Sequence, residues 1–300
     1  MTTVGILYPG DMGATMGTLL RAHGTDVVTT LAGRSPRTRT LCDAAGLTVL
    51  DSVADVARAA DVVVSLVPPS AALAVAQDFV EQRPAGARAR LYVDANSISP
   101  RTAAAIAELV EERGVSFVDA SIRGLAARVA NHGILYLSGA RAPEVAVLFD
   151  PCLRVQYVGD EPGRASMLKM LMGGMSKGLA ALFLQISLAA READLVDEFL
   201  AGCRLYYPDV VAAMEQVLPT YPQHAGRRAE EMQEVEQAMS DLGLHAGVVG
   251  EAKRLFAALA DSTLAERYAR RGAPARDVSE MIEVIALEQP LGVERALAHD

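Results

Sequence analysis

Lysine is nearly missing from this chain. Of 28 lysines and arginines only Lys169, Lys177 and Lys253 are lysines, so a lysine set among apolar residues asks for a reason. Positive charge is short overall: the formal net charge is −9, which excludes the broad basic surface of a nucleic-acid-binding protein. Cysteine is scarce as well. Cys42, Cys152 and Cys203 are odd in number and far apart. They offer neither metal-ligand spacing nor a disulfide framework, so a reducing, cytoplasmic setting is expected. His23, His132, His224, His245 and His299 show no ligand spacing, and no metal is expected. The N-terminus lacks the basic-then-apolar layout of a signal peptide. The longest apolar run, residues 178–184, lies between Lys177 and Gln185 and is too short to span a bilayer. A soluble protein with no membrane partner is expected.

What the chain does have is 300 residues at 51% hydrophobic content, enough for two domains with a substantial core. It is organised around Val4-Gly-Ile-Leu-Tyr-Pro-Gly-Asp-Met-Gly-Ala-Thr-Met-Gly17. An apolar strand over residues 4–7 runs into a sharp turn, and a helical pattern follows over 15–23. Strand, glycine turn and helix start together make a dinucleotide phosphate site, because amides at the helix N-terminus and the helix dipole favour an anion. Small residues there let the pyrophosphate approach the backbone. A full G-x-G-x-x-G would place glycine where Tyr8 stands; Gly10 and Gly13 fill the second and third places, with Asp11 and Met12 between them. The tight turn must then form without its first glycine, and a Tyr8 ring over the pyrophosphate position would end the cofactor reading.

Downstream, short β-rich runs alternate with helical segments. Strands are expected at 26–31, 48–50, 61–67, 90–94, 115–119, 134–138 and 155–158, with helices at 36–45, 52–59, 71–81 and 101–113. Ser52 is a fitting N-cap. The continuous apolar run at 61–67 suits a central parallel strand covered on both faces. This alternation predicts a Rossmann-type doubly wound α/β domain over residues 1–161. From 162 to 300 no strand is evident, and an all-α domain is expected, opening with a long helix over 164–191. Further helices are expected at 195–205, 209–217, 223–242, 247–260, 263–270 and 277–287, with a break at Pro290. Gly173, Gly174 and Gly178 would each weaken the long helix by about 1 kcal/mol relative to alanine, which points to close packing at those positions.

The end of the second strand tests the cofactor. NAD-preferring sites place a carboxylate there for the ribose hydroxyls; this chain offers Gly33-Arg34-Ser35. Arg34 can make a charge-assisted bond to a 2′-phosphate and Ser35 can add a hydroxyl contact, so NADP is favoured over NAD; the bland alternative for Arg34 is a solvated loop. Val67-Pro68-Pro69-Ser70 and Asp94-Ala95-Asn96-Ser97 fall at the C-terminal ends of neighbouring strands, the ligand edge of an open α/β sheet. There Val67, Pro68 and Pro69 form a wall and Asn96 bonds the ribose or the nicotinamide side, or both segments are ordinary turns. Lys169 sits in an apolar helical stretch, where burial costs an unpartnered ammonium and favours the neutral amine, a state suited to proton transfer. Gly173 and Lys177 follow one and two turns on. At ~1.5 Å per residue the two lysines lie roughly 12 Å apart, a span for one small anionic substrate, or both simply snorkel to solvent. Ser121, Arg123 and Gly124 follow an expected strand end at Asp119, where Arg123 either grips a carboxylate or phosphate or lies free on a loop.

Taken together, these stretches resemble the β-hydroxyacid dehydrogenase and 6-phosphogluconate dehydrogenase superfamily over nearly the whole chain. Residues 5–13 look like its cofactor motif, Asp119–Gly124 with Tyr136-Leu-Ser-Gly139 like its substrate motif, and residues 163–177 like its catalytic segment. The resemblance puts Lys169 on the catalytic lysine and implies a nicotinamide cofactor and a homodimer. The spelling Tyr-Pro-Gly-Asp-Met-Gly, the Tyr-Leu-Ser-Gly segment and Lys177-Gly178 resemble a branch with its own helical C-terminal domain of unknown function. Departures narrow what the resemblance implies. The asparagine one turn after the lysine is Gly173, the Ser-Gly-Gly loop is Arg123-Gly124-Leu125, and Ser176 replaces the acid of the decarboxylating enzymes, which argues against that reaction. The expectation is an NADP-dependent oxidoreductase acting on a hydroxy or keto carbon of a small acidic substrate, with Lys169 as general acid/base at a site between the domains. An imine or enamine reductase, in which Lys169 is not the proton donor, and an NADP-binding sensor without turnover are the alternatives.

Overall fold

The computed structural model describes residues 2–288. Within these the chain divides into two compact units, one ending at Lys169 and one starting at Met170. The first is built on strands β1 (Thr3–Leu7), β2 (Asp26–Thr30), β3 (Thr48–Leu50), β4 (Val62–Ser65), β5 (Leu91–Asp94), β6 (Ser116–Arg123), β7 (Ile134–Ser138) and β8 (Arg154–Tyr157). Helices α1 (Asp11–Ala22), α2 (Pro36–Ala44), α3 (Val53–Ala59), α4 (Ala72–Gln82), α5 (Pro100–Glu111), α6 (Val129–His132) and α7 (Ala142–Phe149) are interleaved with them.

The strands form one sheet in the order β3-β2-β1-β4-β5-β6-β7-β8. All neighbours are parallel except β6 and β7. The order reverses between β1 and β4, and a crevice at the carboxyl ends of these strands is where an open α/β sheet takes its ligand. Alternate side chains fill the two faces: Val4, Ile6, Val62 and Val64 join one apolar cluster, and Leu7 and Val63 join the other. The whole of β4 is buried, as a central strand covered on both sides must be. Ser52 caps α3, accepting from the Asp55 N–H at 3.1 Å.

Three features depart from the sequence reading. Helix α1 starts at Asp11, immediately after Gly10, and not at residue 15. Strand β6 continues past Asp119 to Arg123, so Ser121 and Arg123 lie on a strand. The link from β6 to β7, residues 124–133, is shorter than the dozen or more residues a parallel crossover takes. The chain accordingly reverses, and Asp119 pairs with Ser138 in an antiparallel register.

The second unit is helical. Helix α8 (Arg164–Glu192) crosses the boundary at Lys169, and α9 (Val196–Tyr206), α10 (Pro208–Val217), α11 (Tyr221–Asp241), α12 (Gly247–Ala260), α13 (Thr263–Arg271) and α14 (Val278–Glu288) follow. Their core joins Leu184, Leu218, Tyr221, Met232, Phe256 and Met281. Gly174 meets the expectation of close packing, since an added Cβ would come 3.0 Å from Val235 Cγ1 on α11. Gly178 does not, because nothing lies within 4 Å of its Cβ position. By length and composition α8 is long and apolar enough to cross a membrane, with a window of mean hydropathy 1.3 that is 28% buried. Counting only uninterrupted apolar residues misses this, because Lys177 divides the stretch. Pro290 and His299 lie outside the described residues.

Candidate active site

The phosphate turn forms without its first glycine because Tyr8 itself takes the left-handed conformation, at φ 52°. Such a backbone costs a non-glycine residue roughly 1–2 kcal/mol. The Tyr8 ring leaves the turn: it packs in the cluster with Val67, Ala71 and Leu50, and its hydroxyl donates to Asp78 Oδ2 at 3.3 Å. Burial, with Asp78 beside it, raises the phenol above its ordinary value, so it remains a neutral donor. Gly10 is the extended N-cap of α1 and no side chain caps the helix. A Cβ at Gly10 would meet nothing within 4 Å, so the space over the first amides of α1 is open. At Gly13 a Cβ would press on Pro9 Cβ at 2.7 Å, which explains that glycine by the close fold of the turn against the first turn of α1. The half-buried Met12 packs against the core below. Asp11 would set a negative charge beside an arriving phosphate, but Arg37 Nη2 bonds its Oδ2 at 2.6 Å and its Oδ1 at 2.9 Å. Sequence reading missed Arg37, three residues past Arg34.

Arg34 lies past the end of β2 with its guanidinium 4.4 Å from the centroid of the Tyr8 ring. Ser35 caps α2: its Oγ accepts from the Thr38 N–H at 3.3 Å and lies 3.3 Å from Thr38 Oγ1, with which it shares a hydroxyl hydrogen bond. These exposed groups stand at the carboxyl end of β2, at the same sheet edge as the α1 turn.

Asn96 is engaged within the protein. It is 2% exposed, its Oδ1 accepts from the Val67 N–H at 2.6 Å, and its Nδ2 donates to Ser65 Oγ at 3.0 Å and Asp94 Oδ2 at 2.8 Å. Its side chain ties the loop after β4 to the loop after β5; Pro68 and Pro69 are exposed on the first of these. Asp94 also accepts from the Asn96 N–H at 3.0 Å. Burial raises the Asp94 carboxyl to about 7, against the pull of its bonds from Asn96, and Asp119 adds to the rise. An unfolded aspartate releases its proton near pH 4. Between about pH 4 and 7 the folded chain therefore holds a proton that the unfolded chain has lost. Stability from this group is greatest at the acid end and falls as pH rises, by at most about 4 kcal/mol. The urea midpoint should fall more steeply from pH 5 to 7.5 in the native chain than in Asp94→Asn; equal slopes would remove Asp94 as the cause.

Lys169 is half-buried and donates from Nζ to Ser97 Oγ at 2.6 Å. Ser97, adjacent to Asn96, is the second residue the sequence reading passed over. The start of α8 fixes the lysine. Asp119 Oδ2 accepts from the Ser166 N–H at 2.9 Å, Asp119 Oδ1 from Ser166 Oγ at 2.6 Å, and Ser138 Oγ from the Ala165 N–H at 3.0 Å. Ser138 in turn donates to Asp119 Oδ2 at 3.1 Å. These buried groups satisfy amides of the first turn that no helix can satisfy internally. Gly163, at φ 89°, enters the turn where a Cβ would meet Pro100 O at 3.1 Å.

The substrate candidates divide. Ser121 is fully buried on β6, and its Oγ has no hydrogen-bond partner. Arg123 is exposed at the carboxyl end of β6, followed by Gly124 at φ 138°. In the helical unit, Lys177 Nζ donates to Gly173 O at 3.2 Å and pairs with Glu231 at 3.0 Å, with the lysine side chain 13% exposed. A Cβ at Gly173 would lie 3.0 Å from that amine, so the glycine leaves room for the lysine to fold back along the helix. An anionic group arriving at Lys177 would therefore compete with Glu231 for its charge. Among the described residues no group of three or more His, Cys, Asp or Glu side chains could hold a metal ion.

A family model described as the NAD binding domain of 6-phosphogluconate dehydrogenase matches residues 3–154, and a domain of unknown function, DUF1932, matches residues 190–259. A solved conserved protein of unknown function, described as structurally similar to 3-hydroxyacid dehydrogenases, is 30% identical with a TM-score of 0.72, covering 86% of this chain and 97% of that one. The chain belongs to the β-hydroxyacid dehydrogenase superfamily. It is an NAD(P)-dependent oxidoreductase of that superfamily with a DUF1932 C-terminal domain. An uncharacterised 28.5 kDa protein of Methanothermus fervidus is 27% identical over 259 residues, or 84% of this chain and 97% of the relative. The fold is also that of a 3-hydroxyisobutyrate dehydrogenase of Mycobacterium tuberculosis, at 18% identity and a TM-score of 0.73 over 95% of this chain and 99% of that one.

Proposed function

We propose that this superfamily member is an NADP-dependent oxidoreductase acting on a hydroxy or keto carbon of a small acidic substrate. The observation that carries the reading is Lys169 Nζ held 2.6 Å from Ser97 Oγ, at the sheet edge that also presents the Gly10 turn. The residues fit the cofactor. The open α1 amides and the neutralised Asp11 suit a diphosphate, and Arg34 with Ser35 suits a 2′-phosphate. The nicotinamide supplies or takes up the hydride. Lys169 takes the hydroxyl proton in oxidation or returns it to the alkoxide oxygen in reduction, and in its charged form it stabilises that oxygen. Ser97 orients the amine. Arg123 receives the acidic group, and the unpartnered Ser121 Oγ supports a polar ligand near β6.

The same reading makes the enzyme a cytoplasmic homodimer. Its three cysteines are free thiols, and α8 exposes an apolar stripe of Leu171, Met175, Leu182 and Ile186 beside the open Gly178. Contiguous apolar surface of this kind marks an interaction site, and a second copy would cover it. The experiment is NADPH and NADH consumption by the purified chain with a panel of keto acids and cyclic imines, with light scattering on the same sample. NADPH-linked turnover of keto acids by a particle of two chains is expected. Turnover of imines alone, or NADPH binding with no turnover, would replace the reading by an imine reductase or a sensor.

A further inference from the structure

Tyr8 occupies the place of the first fingerprint glycine at a backbone cost of roughly 1–2 kcal/mol, and its ring does not serve the turn. One end of the side chain is fixed, because the hydroxyl bonds Asp78 Oδ2 on α4. The side chain is partly buried and packs against the apolar cluster on that face of the sheet. Its free face carries the Arg34 guanidinium at 4.4 Å, within the distance at which a cation is attracted to a ring face. Arg34 is exposed, and the bond it makes among the described residues is from its backbone N–H to Leu31 O at 3.0 Å. Its guanidinium carbon thus sits over the ring, and its side-chain donors meet no hydrogen-bond acceptor among the described residues. Arg37, close by, differs: it is paired with Asp11.

From this geometry we infer that Tyr8 is a specificity-determining positioning residue, holding Arg34 edge-outward to receive the 2′-phosphate of NADP. An unsupported arginine on a loop loses rotamer freedom on binding, about 0.5–1.5 kcal/mol per ordered side chain; a guanidinium already laid on a fixed ring has lost much of it beforehand. A planar fork so presented suits a phosphate bidentately. The 2′-phosphate is the group that distinguishes the two nicotinamide cofactors, so the benefit falls on NADP alone. The inference rests on the reading of Arg34 as the 2′-phosphate ligand.

The test uses Tyr8→Gly, because glycine takes φ 52° without strain, which offsets part of the packing lost with the ring; urea unfolding verifies that the variant is folded. Dissociation constants for NADP+ and NAD+ are measured by calorimetry on the full chain, in the native protein and in Tyr8→Gly, Tyr8→Phe, Arg34→Ala and the double variant. Tyr8→Gly should weaken NADP+ about three- to twelve-fold and leave NAD+ within about twofold, the range that the lost pre-ordering of one side chain converts to. Tyr8→Phe, which keeps the ring, should stay near native. Tyr8→Gly should cost nothing further once Arg34 is alanine. Equal weakening of both cofactors would make Tyr8 merely structural, and tighter binding of both would mean the ring obstructs the adenosine; either overturns the inference. If native protein shows no NADP+ preference and Arg34→Ala changes nothing, the reading of Arg34 itself has failed. If Arg34→Ala abolishes the preference while Tyr8→Gly keeps it, the inference fails alone.

Discussion

Replacing Lys169 with alanine should lower kcat by about two to four orders of magnitude, the usual contribution of a positioned general acid or base. The dissociation constant for NADPH should change by less than about twofold, because the phosphate turn and Arg34 lie on other elements. The amine donates to Ser97 Oγ, and truncation would remove the proposed proton carrier while leaving the α8 cap in place. Fluorescence titration with NADPH and steady-state rates on the same preparation separate the two effects. Full turnover with intact NADPH binding would remove lysine acid/base chemistry from the mechanism.

Asp119→Ala should destabilise the nucleotide-binding unit by about 2–4 kcal/mol and also depress turnover. The buried carboxylate accepts from the backbone and hydroxyl of Ser166 and from Ser138. Hydrogen bonds to a charged group are worth about 1.5–3 kcal/mol each, and a buried donor left without an acceptor adds a penalty. Relief of the cost of burying the charge, which raises the Asp119 carboxyl above its usual range, offsets part of that sum. Urea unfolding and kcat, compared with Asp119→Asn, check the prediction. Asparagine keeps one acceptor oxygen and should fall between alanine and native. Unchanged stability and unchanged kcat in the alanine variant would mean that the start of α8 is held by other contacts.

The parts of this plan visible in the sequence are those encoded locally. The continuous apolar run at β4, the Ser52 cap and the proline and glycine breaks between the C-terminal helices place their elements within a few residues, because period and capping act over one or two turns. Lys169 was conspicuous by its apolar neighbours and by the rarity of lysine. What the sequence concealed depends on distant partners. Asn96 reads as a loop amide until Val67, Ser65 and Asp94 surround it. Lys177 reads as a free cation until Glu231, 54 positions later, is folded against it. Ser97 and Arg37 carry no pattern of their own and gain their roles from Lys169 and Asp11. The extension of β6 to Arg123 was missed because Ser121 and Arg123 interrupt the apolar run, whereas pairing with β7 requires only backbone.

The reversal of β7 settles where that helix begins. Because β7 runs against β6, Ser138 at its end lies beside Asp119, and the two side chains share the first amides of α8. In a parallel pairing the end of β7 would lie by the far end of β6, with Arg123, and no hydroxyl would stand next to the carboxylate. A short link between two strands thus acts as a socket for a helix far along the chain, and Lys169 is indexed to a strand direction. Lengthening residues 124–133 enough to permit a crossover would move the amine without altering any residue near it.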